Sequence, residues 1–211
     1  MHVTQLPEFG TMRGMSVSFE PFASRPHEKM KDVLMNPSAS GPAVHYYMIR
    51  GGKNKRNITI VETGTVGGEY IKTYGHYHEG QLDETYWFVQ GEGVVLKQKR
   101  AEEGGVPHAD KIADFVAIRV KPGDSVYMPP GYAHMMANVG KEWLVMVDDS
   151  PVEGADDSAS MPGHADYKPV QDMRGFAYYV IEREGKPALK RNANYSEIAN
   201  TDFGGIPVTD G

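Results

Sequence analysis

From about residue 44 the chain breaks into short runs in which apolar and polar residues alternate or in which apolar residues stand briefly together. Each run ends in Gly, Pro, Asn or Asp. The runs are VHYYMIRGG, NITIVETG, EYIKTYGHYH, TYWFVQGEG, VVLKQKR, DFVAIRVKPGD, SVYMPPG, WLVMVDDS and FAYYVIEREG. Their spacing is that of strands in a sandwich or barrel. No stretch after residue 44 sustains a helical period, so the pattern predicts an all-β antiparallel barrel or jelly roll. Residues 1–43 are irregular, with prolines at 7, 21, 26, 37 and 42 and one short helix expected near His27–Met35. Three stretches read as insertions or loops: AEEGGVPHADK (101–111), PVEGADDSASMPG (151–163) and the tail after about Ala193. The expected organisation is an N-terminal extension packing on the barrel (1–43), the barrel domain (44–190) and a C-terminal tail (191–211).

Composition narrows the chemistry. The 211 residues contain no cysteine, which excludes disulfides, thiolate nucleophiles and Cys-ligated metals. The formal charge is −6 and the one basic cluster, KNKR at 53–56, is short, which argues against nucleic acid as a partner. No apolar run approaches the length of a membrane span. The N-terminus MHVTQLPEFGTMRGMSVSF lacks a basic region followed by an apolar run, so a cytoplasmic protein is expected.

The candidate chemistry sits in GHYHEGQLDETYWFVQGEG, residues 75–93. On a strand, side chains at i and i+2 share a face, so His76 and His78 aim at one point while Tyr77 faces away. Glu84 lies across the turn EGQLD, where a hairpin can return its carboxylate to the imidazoles. His134, in PPGYAHMMAN, is the fourth candidate. Three imidazoles and a carboxylate suit a first-row divalent metal such as iron, manganese, nickel or zinc. A bare His-X-His is more often an ordinary pair of strand histidines; the additional residues favour the metal.

The same residues resemble the two cupin motifs. His76-X-His78, Glu84 and, after six residues, Gly91 resemble the first. Gly123, Pro129, Gly131, His134 and Asn138 follow the second in register. The first motif departs in its longer His78-to-Glu84 spacing and in Tyr70, which stands where a glycine is usual. NITIVETGTVGGEYIKTYGHYH, PPGYAH, GHADY and GFAYYVIEREG narrow the resemblance to the cupin-type glucose-6-phosphate (phosphoglucose) isomerases known mainly from archaea, over roughly residues 42–190. The longer His-to-Glu loop is itself a mark of that family.

That resemblance implies a cupin jelly-roll β-barrel, a homodimer with one divalent metal per subunit, and interconversion of glucose 6-phosphate and fructose 6-phosphate. Fe2+ is the first choice of metal, with Mn2+, Ni2+ or Zn2+ as alternatives. It implies His76, His78, Glu84 and His134 as metal ligands, and Glu84 and Tyr86 as catalytic groups. Thr59, Thr73 and Gly75 resemble phosphate contacts, Tyr86 a substrate contact, and His164 and Tyr167 a pair that closes over the sugar. Thr59 and Thr73 are also residues that strands favour for themselves. Two departures concern the pocket: Ser150 precedes Pro151 where the family has an aromatic, and Ala165 adds a residue between His164 and Tyr167. The family's N-terminal substrate tyrosine corresponds to Tyr46, Tyr47 or His45. Competing functions are another metal-dependent cupin sugar isomerase or epimerase, a non-catalytic sugar-binding cupin, and an iron-dependent oxygenase.

Overall fold

The computed structural model describes residues 23–49, 56–150 and 165–209. The described residues form four sheets, two of which carry the expected site residues Glu84 and His134. The six-stranded sheet runs, in spatial order, Ala23–Pro26, Val44–Ile49, Asn57–Val61, Leu144–Asp148, Glu84–Gln90 and Ser125–Met128, every neighbour antiparallel. The four-stranded sheet runs Tyr132–Asn138, Gly93–Glu103, Val106–Val120 and Glu197–Asp202. Phe88, Met128 and Met146 from the first sheet join Leu96, Phe115 and Met135 from the second in one buried core. This is the expected all-β jelly-roll barrel, and its helices are short: His27–Met30, the 3₁₀ turn Lys31–Val33, and Lys168–Asp172. Among the described residues no helix is long and apolar enough to cross a membrane.

Strand alternation decides what faces inward. In Glu84–Gln90 the side chains of Glu84, Tyr86 and Phe88 are buried, while Thr85 and Trp87 are partly exposed. A carboxylate thus enters the barrel on the same face as core aromatics, because the side-chain period of a strand is two.

Two segments differ from the sequence reading. Residues 101–111 are not an irregular loop: they continue the hairpin of Gly93–Glu103 and Val106–Val120, reversed at Gly104 (φ 59°) and Gly105 (φ 79°). Paired left-handed residues make the primed turn that matches strand twist. Near its tip the hairpin is exposed on both faces, so its polar composition mimics a loop. The C-terminal region also contributes structure. Glu197–Asp202 pairs in parallel with Val106–Val120, and Val208–Thr209 pairs in parallel with Lys186–Arg191. The first of these strands is almost wholly exposed, which leaves no alternation to read in EIANTD. Residues 1–22 and 151–163, expected to be extension and loop, lie outside the described residues.

The N-terminal segment is fastened to the barrel. Met30, Val33 and Leu34 are buried in the common core. Lys72 Nζ pairs with Glu69 Oε1 and donates to Val33 O at 2.8 Å, while Glu69 Oε2 accepts from Met35 N at 2.8 Å. Both charged side chains are buried.

A second link joins His27 to His45. His27 Nε2 stands 3.0 Å from Ala39 O, which can only accept, so this nitrogen carries the proton. In the neutral ring His27 Nδ1 then accepts from His45 Nε2, 3.0 Å away. Burial, with His27 and Lys72 nearby, pushes the His45 pKa down from 6.5 to about 4. Between those values the unfolded chain binds the extra proton and the folded chain does not. The stability from a neutral His45 is therefore complete above pH 6.5 and is lost as pH falls toward 4. The urea midpoint should hold steady from pH 8 to 7 and decline below 6.5, and His45→Gln should flatten that decline. An equally steep decline in the variant would show that other groups control it.

Candidate metal and substrate site

Gly75 introduces the first histidine. Its φ is +79°, and an added Cβ would meet Phe176 at 2.4 Å and His134 O at 3.1 Å, so neither the backbone nor the space admits a side chain. His76 N donates to His134 O at 3.3 Å and His134 N to His76 O at 3.1 Å, a single antiparallel bridge between two distant parts of the chain. His78 belongs to the short strand Tyr77–His78, paired with Ala165–Asp166. Tyr77 turns the other way, its hydroxyl accepting from Gln98 Nε2 at 3.2 Å. The His76, His78 and His134 rings lie 4.6–5.1 Å apart between centroids.

Glu84 closes the group. Its Oε1 lies 2.8 Å from His134 Nε2 and 3.4 Å from His78 Nε2. One donor atom from each of His76, His78, Glu84 and His134 falls within 4.8 Å of the others. Despite its close neighbours, buried Glu84 Oε1 has no aligned hydrogen bond. Three imidazoles and a carboxylate thus stand close enough together to share one ion. Burial alone would raise the Glu84 carboxyl; the imidazoles, His134 foremost, overturn it and hold the pKa down to about 2. His134 Nδ1 has no hydrogen-bond partner, so that ring is oriented by its strand and by packing against His76 and Tyr86. These four residues could hold a divalent metal.

The other expected residues are placed as follows. Thr59, Thr73, Gly75, Tyr86 and Tyr167 all line the cleft that opens onto His76, Glu84 and His134. The Thr73 hydroxyl accepts from Met136 N at 3.1 Å, so it also ties strand Tyr132–Asn138 in place. The Tyr86 hydroxyl lies 3.4 Å from His134 Nε2. Burial first, then Glu84 and Asp148, push the Tyr86 pKa well above its ordinary value, so the phenol keeps its proton. Tyr167 packs against His76 with ring centroids 5.2 Å apart. His164 lies outside the described residues. Of His45, Tyr46 and Tyr47, only Tyr46 lines the cleft.

Sequence reasoning missed three polar residues here. Arg25 stands opposite Tyr46 across an antiparallel pair, and its Nε donates to the Tyr46 hydroxyl at 3.0 Å. Its guanidinium lies 5.5–5.7 Å from the ring centroids of Tyr46, Tyr74 and Tyr167. Asn57 and Asp148 are buried and line the cleft on adjacent strands. Arg25 lay in a stretch read as irregular. Asn57 and Asp148 looked like the polar ends of two separate runs, and only strand register joins them.

A jelly-roll barrel with three imidazoles and a carboxylate converging inside it defines a cupin. The family model for glucose-6-phosphate isomerase (GPI) matches residues 43–197. The glucose-6-phosphate isomerase of Thermococcus litoralis is 32% identical over 139 residues, covering 65% of this chain and 62% of that protein. That of Pyrococcus furiosus is 31% identical over 141 residues, covering 66% and 63%. A putative glucose-6-phosphate isomerase 2 of Rhizobium meliloti is 29% identical over 126 residues, covering 59% and 58%. The match thus spans less than two thirds of the length of these relatives. Among solved structures, the Drosophila melanogaster CENP-C cupin domain gives a TM-score of 0.36 at 12% identity, covering 53% of this chain and 72% of that one. The chain belongs to the glucose-6-phosphate isomerase (GPI) family.

Proposed function

We propose that this protein is a metal-dependent aldose–ketose isomerase interconverting glucose 6-phosphate and fructose 6-phosphate. The observation that carries the reading is the convergence of His76, His78, Glu84 and His134 at a cleft in a chain of this family. A divalent ion held by these four residues would supply Lewis acidity to the C1 and C2 oxygens of the sugar. Thr59, Thr73 and the backbone at Gly75 offer hydrogen bonds to the phosphate. The Tyr86 hydroxyl is the group to relay a proton between the two sugar oxygens, donating its own to one as it takes up the other's, so that no buried phenolate forms. Glu84 is the carboxylate placed to take a proton from carbon if the reaction runs through an enediol; a hydride shift needs no such base. Tyr46 and Tyr167 line the cleft and add apolar ring surface to its wall. The homodimer and the cytoplasmic location belong to the same proposal and rest on the family alone.

The test is conversion of fructose 6-phosphate by protein stripped with a chelator and then given Fe2+, Mn2+, Ni2+ or Zn2+ separately. Loss of turnover on stripping and return with at least one metal is expected. Full turnover in the stripped protein would rule out metal dependence, and no turnover with any metal would rule out this substrate pair. In deuterium oxide the same assay separates the routes: deuterium enters C2 of the aldose by the enediol and is absent after a hydride shift.

A further inference from the structure

The six-stranded sheet carries a polar row that neither the metal cluster nor the proposed phosphate contacts use. Asn57, Asp148 and Tyr86 stand opposite one another on three adjacent strands and line the cleft together. Residues so paired share a face of the sheet. Asn57 is 3% exposed and Asp148 4%. Asn57 Nδ2 donates to Asp148 Oδ1 at 2.8 Å and to Ser150 O at 3.1 Å. Ser150 N donates to the same Asp148 oxygen at 3.1 Å. Both partners of the Asn57 amide are acceptors, which fixes its orientation; exchanging its nitrogen and oxygen would set Oδ1 against a carboxylate and a carbonyl. Oδ1 is then left buried with no hydrogen bond.

A buried acceptor left unmatched is costly, and a ligand that brings a donor relieves it. Phosphate and carbonyl oxygens are acceptors and cannot do this beside the Asp148 carboxylate. A hydroxyl can. The row starts at Tyr86, beside His134, so a ligand anchored at the cluster extends along it toward Asn57. We propose that Asn57 is a substrate-binding residue that accepts a hydrogen bond from a hydroxyl on the sugar's carbon chain. Asp148 is the positioning residue that holds its amide. The proposal rests on the sugar-isomerase reading and deepens it: this wall selects a polyhydroxylated chain, independently of the phosphate.

Calorimetry on the full-length, manganese-loaded protein tests it, with fructose 6-phosphate, free fructose and inorganic phosphate as probes. Asn57→Leu should weaken both sugars by about fivefold to tenfold, the range of one neutral hydrogen bond, and leave inorganic phosphate unchanged. Asp148→Ala should weaken both sugars likewise and Asp148→Asn should recover them; a merely structural role would weaken sugar and phosphate alike. Equal sugar affinities in the wild type and Asn57→Leu would overturn the proposal. Should the leucine variant not fold, the wild type is measured with 3-, 4- and 5-deoxy fructose 6-phosphate. About a tenfold loss at one position supports the hydrogen bond, and no loss at any of the three overturns it. Wild type that binds free fructose and shows the Asn57 effect, yet does not convert fructose 6-phosphate, keeps this proposal and removes the isomerase reading. Wild type that binds no sugar removes both.

Discussion

Glu84→Ala should lose bound metal and isomerase turnover together, with turnover falling by more than about a hundredfold. Even partners that only orient a metal ligand cost 10–100-fold when removed, so a residue contributing a ligand atom should exceed that range. Among the described residues Glu84 is also the only carboxylate in the cluster, and its loss leaves three imidazoles to hold a dication. A second readout follows from its position. Glu84 lies on the six-stranded sheet and His134 on the four-stranded sheet, so an ion held by both ties the sheets together. At a hundredfold excess over its dissociation constant the ion adds about 2.7 kcal/mol. For a chain of this size that raises the melting temperature by roughly 5–10 °C. Glu84→Ala and His134→Ala should both lack that rise. Full metal content and wild-type turnover in either variant, measured after dialysis, would sink the site assignment.

Lys72→Met should be strongly destabilising although the residue lies outside the cleft. It leaves the buried Glu69 carboxylate without its cation and Val33 O without its donor. Breaking one side of a buried pair costs about 3–5 kcal/mol. Protonating Glu69 limits the electrostatic part, because taking up a proton at pH 7 from an ordinary value near 4.3 costs about 3.7 kcal/mol. A loss of about 3–4 kcal/mol is expected, or roughly 6–16 °C in melting temperature. Lys72→Met combined with Glu69→Gln should be milder than the single variant, because no buried charge remains. A single variant that melts within a degree or two of the wild type would show that the pair is not holding the N-terminal segment.

What could be read from the sequence was what is local. His76 and His78 share a face by strand alternation, and the Gly123-to-His134 motif fixes its own turn, so the four candidate ligands are legible from local pattern. Thr59, Thr73 and Gly75 came from family resemblance, and their contacts show more than that. Gly75 is compelled by its left-handed backbone, and Thr73 carries a structural hydrogen bond. The rest depends on register between distant segments. The Asn57–Asp148 bond joins residues 91 apart, and nothing in either run announces the other. Arg25 lay among prolines and gained a role only when Ala23–Pro26 paired with Val44–Ile49. Nothing in the run EYIKTYGHYH marks Lys72, because alternation cannot tell which polar residue finds a buried partner. The 93–120 hairpin was obscured because its tip buries no face.

The parallel pairing of Glu197–Asp202 with Val106–Val120 also bears on how the protein is made. When a nascent chain has emerged as far as Asp148, the six strands of the first sheet are all available, but Val106–Val120 still has a bare edge. An open strand edge is a template for pairing with other chains. At ordinary rates of synthesis the roughly 54 further residues to Asp202 take roughly 3–11 s. For that interval the edge is open, so the hairpin on the sheet opposite Glu84 is the pairing surface that the part-made chain presents until its distant partner strand arrives.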